Sequence, residues 1–158
     1  MLFRSQEDAA LSIEKIAAKV HLSSTPCWKR IRRLEKDGVI QKRVALLDAE
    51  KVGAGVTVFV TIKTNQHNRE WLDHFASSVE DMPEILDFYR MSGEIDYLLR
   101  VVVSDIAAFD DFYQRLISRV PLSDVTSSFA MEKIKHTTAL PIRSEARRVG
   151  KECRSRWS

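Results

Sequence analysis

Several features are scarce or absent in this 158-residue chain, and each absence excludes a class of protein. The only two cysteines, Cys27 and Cys153, lie far apart in the sequence and indicate no disulfide framework. No apolar run approaches the roughly 18 residues of a membrane-spanning helix, and no segment has the zones of a signal peptide. With 44% apolar residues, the chain is expected to be a cytoplasmic protein with a packed core and no membrane partner.

Signatures of catalysis are missing as well. No nucleophile elbow, phosphate-binding loop or dinucleotide fingerprint occurs. The four histidines do not cluster with cysteines or carboxylates at the spacing of metal ligands. The adjacent carboxylates Asp110 and Asp111 fall on a predicted helix, where neighbouring side chains diverge and cannot share one site. The sequence therefore predicts a protein that is not an enzyme, with no catalytic residue, no metal site and no cofactor.

Charge is distributed unevenly along the chain. Residues 9–54 carry ten Lys/Arg against five Asp/Glu, whereas residues 55–142 carry eight against thirteen. Residues 143–158 are basic again, with six against two. A basic front half and an acidic middle are typical of a nucleic-acid-binding module joined to a module of another kind, although ordinary scatter of surface charge gives a similar profile.

The most informative stretch is residues 23–38, SSTPCWKRIRRLEKDG, which predicts a short helix with a polar start and a basic face. Pro26 falls in its first turn, where a missing N–H costs little, and Gly38 ends the helix. The preceding segment LSIEKIAAKVHL has apolar residues at helical spacing, with Ser12 as its N-cap. Two helices joined by a short turn, the second one cationic, match the helix-turn-helix plan for entering a DNA major groove.

The helical spacing divides this second helix into two faces. Cys27, Ile31 and Leu34 follow the i, i+4, i+7 pattern and are expected to face inward. Arg32 is the candidate for a bidentate pair with guanine, the two serines for phosphate at the helix N-terminus, and the other arginines for backbone contacts. Alternatively, Trp28 anchors the core and the cations are simply solvated. The candidate DNA-binding residues are Ser23, Ser24, Thr25, Trp28, Lys29, Arg30, Arg32 and Arg33.

The pattern changes after the second helix. Residues 39–47 predict a small β-ribbon, the wing of a winged helix-turn-helix, and residues 48–55, which include two glycines, predict a linker. The following elements have the order β-α-β-β-α-β, which is the ferredoxin-like plan of a four-stranded antiparallel sheet with two helices on one face. The predicted fold class is therefore α+β. The predicted strands are 56–63, 85–91, 97–103 and 124–136.

The sheet face without helices is expected to be partly apolar. Each strand has apolar residues of both parities, so either Phe59, Leu98, Val102 and Ala130 or their sequence neighbours would lie on that face. A contiguous apolar patch in water is unfavourable and is typical of an interaction surface. The pattern therefore predicts a homodimer in which two copies pack sheet against sheet.

Four segments at their combined spacing resemble the leucine-responsive/asparagine-regulator (Lrp/AsnC) family of transcription factors. They are LSSTPCWKRIRRLEKDGVI, ALLD, SGEIDYLLRV and SDVTSSFAMEKIK. The resemblance covers residues 6–142 and implies a sequence-specific DNA-binding transcriptional regulator with a winged helix-turn-helix, a linker and a ferredoxin-like ligand module. It also implies small amino-acid effectors, binding to double-stranded DNA, and dimers that assemble into octamers or other even-numbered assemblies.

The resemblance also implies an effector site. The hairpin GEID matches the family's effector motif, in which Gly93 allows close backbone approach and either Glu94 or Asp96 could hold an α-ammonium group. By resemblance the pocket lies between dimers. On the residues alone, an ordinary hairpin turn with a solvated Asp96 is the favoured interpretation. The candidate effector-binding residues are Gly93, Glu94, Asp96, Ile106, Phe129 and Ala130.

The two ends of the chain depart from the family pattern. The family normally begins with a further helix, of which only residues 6–8 match the end, so an N-terminal truncation is expected. Residues 1–5 and 143–158 look like translated sequencing adapter, although the latter could instead be a disordered basic tail that binds DNA nonspecifically. The alternative function is a stand-alone amino-acid-sensing module without effective DNA binding. The expected divisions are a DNA-binding domain 6–47, a linker 48–55, an effector-binding and oligomerisation domain 56–142, and a non-native tail 143–158.

Overall fold

The computed structural model of the chain describes residues 6, 8–66 and 68–141. The expectation that both ends are foreign therefore falls outside the described residues. The described chain divides into two compact units, one formed by the residues up to Ala45 together with those from Ile134, and the other by Leu46–Lys133. Within residues 8–66 and 68–141, no helix has the length and apolar character that crossing a membrane requires.

Over residues 8–45, the first unit contains the helices α1 (Ile13–Lys19) and α2 (Ser24–Lys36). The side chain of Ser12 caps α1 by accepting a hydrogen bond from the backbone N–H of Lys15, as the sequence predicts. After α1 the chain turns through His21, whose φ of 54° is in the left-handed region. This turn positions the two helices to share a small core, which is formed by Ile16, Ala17, Cys27 and Ile31.

The end of α2 is shaped by Gly38, which has a φ of 71° as expected for the residue that ends a helix. Its N–H donates to the carbonyl of Glu35 at 3.1 Å, and the N–H of Ile40 donates back to the carbonyl of Leu34 at 3.0 Å. Ile40 then packs against the core of the unit. The chain that follows α2 is therefore turned back toward the helix that it has just left.

The predicted β-ribbon at residues 39–47 is wrong as a paired structure, because these residues contain no strand. Val39, Val44, Leu46 and Leu47 are all more than half exposed. Alternating apolar residues favour a strand only where a partner strand supplies the ladder hydrogen bonds and one face is buried. Neither condition is met in the described part of the first unit.

The second unit is a four-stranded antiparallel sheet with the strand order β2-β3-β1-β4. This confirms the predicted β-α-β-β-α-β order and the ferredoxin-like plan. The first three strands agree with their predicted ranges to within one residue. The elements are β1 (Val56–Lys63), α3 (Arg69–Val79), β2 (Ile85–Arg90), β3 (Tyr97–Val103), α4 (Ile106–Arg119) and β4 (Asp124–Phe129).

The last strand is shorter than its predicted range of 124–136. It pairs with β1, and the register aligns Phe129 with Val58. The N–H of Ala130 still donates to the carbonyl of Thr57 at 2.9 Å, but β1 begins one residue earlier, at Val56. Residues beyond Ala130 therefore have almost no length of β1 left to pair with, and the strand ends.

The core of the second unit lies between one sheet face and the two helices. Every second residue of β1, namely Val58, Val60 and Ile62, is fully buried against aromatic and aliphatic side chains of α3 and α4. Phe75 is central, with its ring 4.9 Å from that of Phe88 and 5.4 Å from that of Tyr97. The period-2 burial confirms that both helices cover the same face.

The opposite sheet face is open in the protomer. Phe59 on β1 is 38% exposed, and Leu98 and Val102 on β3 are half-buried beside it. Of the two alternatives that the sequence left open, the structure therefore places Phe59, Leu98 and Val102 on the face without helices. An ion pair between Arg100 and Asp87 joins β3 to β2 on the same face.

Candidate functional site

The side of α2 away from the core is polar and cationic. Cys27 and Ile31 are buried, and this fixes which face of the helix looks outward. No acidic residue lies in the first turn, so nothing there opposes an approaching phosphate. All eight candidate DNA-binding residues are exposed, namely Ser23, Ser24, Thr25, Trp28, Lys29, Arg30, Arg32 and Arg33.

Trp28 belongs to this outer face and is not a core anchor, since its side chain is 45% exposed. The guanidinium carbon of Arg32 lies 5.6 Å from the centroid of the indole ring, which is within the range of a cation–π contact. The alternative of Trp28 as a core residue is therefore wrong. The i, i+4 spacing of the two residues brings them together on one helix face.

Sequence reasoning missed one cation of this surface, Arg43. Its Nη2 lies 3.0 Å from Oε1 of Glu35, and Oε2 of Glu35 accepts a hydrogen bond from Nη1 of Arg32 at 3.2 Å. A third ion pair, between Nε of Arg33 and Oδ2 of Asp37 at 3.4 Å, lies at the end of the helix. The signal that could have revealed Arg43 is Gly38, because a residue that ends a helix in the left-handed conformation turns the chain back.

The start of α2 has no side-chain cap on its backbone donors. Ser23 is the N-cap residue in an extended conformation, and its side chain makes no capping hydrogen bond. The first N–H groups of a helix have no partner within the helix, and they attract anions together with the helix dipole. This geometry is compatible with the expected phosphate contact at Ser23 and Ser24.

Three of the candidate effector residues lie in the loop between β2 and β3. Gly93 has a φ of 132°, which only glycine adopts without strain. Oε1 of Glu94 lies 3.6 Å from Nζ of Lys63 at the end of β1. Oδ2 of Asp96 accepts a hydrogen bond from the backbone N–H of Thr64 at 2.8 Å, so this carboxylate is bound to the protein itself.

The other three candidates lie around the start of α4 and the end of β4. Ile106 is the first residue of α4 and is 71% exposed. Phe129 packs on Phe109 of α4, with the two ring centroids 5.1 Å apart, and Ala130 follows directly. The N-cap Asp105 accepts a hydrogen bond from the N–H of Ala108 at 2.9 Å, and this bond, aided by the Ser104 hydroxyl, lowers the pKa of Asp105.

These two groups of candidates are at opposite ends of the sheet. The register places Phe129 beside Val58 near the start of β1, and Tyr97, just after the loop, beside Ile62 near its end. A span of about five strand residues at roughly 3.3 Å each separates the groups. The structure therefore does not bring the six residues together within one protomer.

Two grooves elsewhere in the second unit are lined by residues other than the candidates. A shallow groove of about 490 Å³ between α3 and β2 contains none of the candidate effector residues. Among the residues that the structure describes, no group of three or more His, Cys, Asp or Glu side chains could hold a metal ion.

A helix-turn-helix with a cationic outer face, followed by a ferredoxin-like unit, defines the class of two-domain transcriptional regulators. Residues 57–140 match the model of the Lrp/AsnC ligand binding domain, and residues 6–41 match a winged helix-turn-helix DNA-binding model. The chain thus belongs to the Lrp/AsnC family of transcriptional regulators, and its relatives are not enzymes.

Two curated relatives and two solved structures illustrate the similarity. The transcriptional activator DecR of Escherichia coli is 57% identical over 87% of this chain and 91% of its own length. The glutamate uptake regulatory protein of Zymomonas mobilis is 48% identical over 87% of this chain and 84% of its own. An AsnC family regulator from Agrobacterium tumefaciens has a TM-score of 0.85 and 57% identity, covering 89% of this chain and 92% of that one. A regulator from Neisseria meningitidis, solved in complex with L-Met, has a TM-score of 0.84 and 35% identity, covering 90% and 92%.

Proposed function

We propose that α2 of this regulator reads operator DNA in the major groove and that residues 56–142 bind a small amino-acid effector, in the cytoplasm. The observation that carries the proposal is the outward cationic face of α2, with Arg32 over the exposed indole of Trp28. An arginine at the middle of a recognition helix is the residue best suited to pair bidentately with guanine. The match of residues 6–41 to a winged helix-turn-helix supports this assignment.

Two variants of α2, one at an arginine and one at a lysine, test the DNA-binding proposal. Arg32→Ala is expected to cost about 1–3 kcal/mol of discrimination at one base pair, because a base contact is lost. Lys36→Ala, on the same helix, is expected to weaken binding to all sequences equally and to reduce the slope of log K against log salt by about one. Fluorescence anisotropy with duplexes of varied sequence measures both quantities. Equal loss of sequence preference in the two variants would contradict the assignment of Arg32.

The effector proposal rests on the ligand-binding domain match and on the positions of the six candidates. The relative from Neisseria meningitidis was solved with L-Met, which supports an amino acid as the ligand class. Because the candidates lie at opposite ends of the sheet, we propose that two copies of the chain complete each site. Isothermal titration with the twenty amino acids tests this, and absence of heat from all of them would argue against an effector role.

We further propose that the protein forms a homodimer through the open sheet face and assembles into an octamer. Phe59, Leu98 and Val102 supply the apolar part of that face, and a second copy would remove it from water. Light scattering coupled to size exclusion, with and without each amino acid, measures the assembly size directly. A monomer under all conditions would contradict the proposal.

The second candidate function is an amino-acid sensor without effective DNA binding. It is favoured by the small core of the first unit, in which the buried residues among those described are Ile16, Ala17, Cys27 and Ile31. A unit with so few buried apolar residues is marginally stable. Circular dichroism and a DNA-binding assay on the same preparation distinguish the two functions. A protein that acts only as a sensor would bind amino acids but not DNA, and its helix content would lack the contribution of α1 and α2.

A further inference from the structure

The cationic face of α2 has an acidic residue, Glu35, near the C-terminal end of the helix. The carboxylate of Glu35 is divided between two arginines, with Oε2 3.2 Å from Nη1 of Arg32 and Oε1 3.0 Å from Nη2 of Arg43. The Glu35 side chain is 29% exposed, whereas both arginines are more than half exposed. A negative charge on a DNA-facing surface opposes phosphate binding, so affinity alone does not explain Glu35.

The course of the chain after α2 explains how Arg43 reaches Glu35. Gly38 reverses the chain, and the hydrogen bond from Ile40 N–H to the Leu34 carbonyl holds the reversed segment against the helix. Ile40 packs on the core of the unit, which fixes the segment further. Arg43 therefore returns to the side of α2 that carries Arg32, although it is eight residues beyond Glu35.

Arg32 is held by two neighbours at once. The Trp28 ring lies against its guanidinium group at 5.6 Å, and Glu35 accepts one of its N–H donors. A guanidinium group has five donors in a planar fork, so a single hydrogen bond to Glu35 leaves others for a base. A side chain that is already held in one orientation loses less conformational freedom on binding than a mobile one.

We propose that Glu35 is a positioning residue that sets the DNA specificity of this regulator. It orients Arg32 for a base edge and Arg43 for a second contact on the same side of α2, and its charge lowers the affinity for non-cognate DNA. Specificity rises because the fixed guanidinium groups favour one arrangement of acceptors over others. This inference rests on the proposed DNA-binding role of α2.

The test compares Glu35→Gln with Asp37→Asn, a control that removes one carboxylate paired with Arg33 at the same helix end. The wild-type protein first selects its preferred duplex from a randomised pool, and Kd is then measured for that duplex and for a scrambled one. Glu35→Gln is expected to bind the scrambled duplex more tightly and to lower the preference ratio roughly fivefold or more. Asp37→Asn is expected to tighten binding to both duplexes equally, because its partner Arg33 is a candidate for a DNA backbone contact, which carries no sequence information.

A third variant, Glu35→Asp, distinguishes the orienting effect of the Glu35 side chain from the effect of its negative charge. It keeps the net charge, but its shorter side chain does not reach both arginines, so the preference ratio should fall while the salt dependence stays at the wild-type slope. Circular dichroism shows that each variant retains its helices. A wild-type protein with no preferred duplex would overturn both this inference and the proposed function. A wild-type protein with a clear preference that Glu35→Gln and Glu35→Asp leave unchanged would overturn the positioning role alone.

Discussion

Asp96 shows how one residue can have a structural task that its sequence context does not reveal. Its carboxylate accepts a hydrogen bond from the N–H of Thr64, a residue that is only 5% exposed. Asp96→Ala would leave this buried donor unsatisfied and is expected to lower the free energy of unfolding by about 1–3 kcal/mol. Asp96→Asn keeps an acceptor at the same position and is expected to cost less. Urea denaturation of the two variants measures the difference.

Asp96→Asn also tests whether Asp96 binds an effector. Asparagine retains the hydrogen bond to Thr64 but has no charge for an α-ammonium group. Asp96→Asn is therefore expected to remain folded and to lose heat of amino-acid binding in calorimetry. If it binds an amino acid as tightly as the wild-type protein, the role of Asp96 is confined to anchoring the turn.

At the residue scale, helical spacing predicts correctly which side chains of α2 are buried at some positions and leaves other positions undecided. It placed Cys27 and Ile31 inside and Arg32 outside, because a 3.6-residue period fixes which side chains share a face. It left Trp28 undecided, since an indole fits a core or a cationic surface equally well. It could not find Arg43, whose contact with Glu35 depends on the chain reversal after Gly38.

At the scale of elements, α3 depends on a cap that can be tested cleanly. The side-chain oxygen of Asn68 accepts a hydrogen bond from the N–H of Trp71 at 2.7 Å at the start of the helix. Asn68→Ala is expected to destabilise the second unit by about 1 kcal/mol, because a helix N–H loses its partner. Asn68→Asp should be nearly neutral, since aspartate caps equally well. Thermal unfolding followed by circular dichroism compares the two.

The ends of α3 and α4 are joined by an ion pair that predicts a pH dependence. The guanidinium of Arg119 binds the carboxylate of Asp81, and this hydrogen bond lowers the pKa of Asp81 below its usual 3.8. Because the folded-state pKa is depressed, the stabilisation is present above the unfolded-state pKa and is lost as pH falls through the folded-state value. The stability difference between wild type and Asp81→Asn should therefore shrink on acidification below pH 3.8. A difference that stays constant there would contradict this assignment.

The sequence pattern predicted elements with internal packing partners better than those without. The strands of the sheet and both of its helices follow apolar periods that the core uses directly, as at Val58, Val60 and Ile62. The ribbon at 39–47 and the extension of β4 beyond Ala130 were predicted from similar alternation. They failed because pairing depends on a neighbouring strand, which a local pattern does not contain.

At the scale of the whole molecule, the two units are expected to unfold separately. The first has four buried apolar residues among those described, whereas the second has fifteen. Buried apolar area is the main source of stability, so the first unit should melt at lower urea concentration. Trp71 is buried in the second unit and Trp28 is exposed in the first, so fluorescence of a Trp28→Phe, Trp157→Phe variant reports the second unit alone. Coincidence of this signal with the loss of total helix content would contradict the prediction.

If the protein forms the proposed dimer, a charge placed on the open sheet face should disrupt it. Phe59→Glu places a carboxylate beside Leu98 and Val102 and directly opposite Arg100. Because the guanidinium of Arg100 already pairs with Asp87, burying the added charge under a second copy should still cost several kcal/mol. Light scattering should show that the dimer dissociates. Ile117→Glu is the matched control, since Ile117 is 40% exposed on α4, on the opposite side of the sheet. It should leave the dimer intact. If Phe59→Glu keeps the wild-type mass while Ile117→Glu loses it, the interface lies on the helical face and the sheet face must be covered in another way.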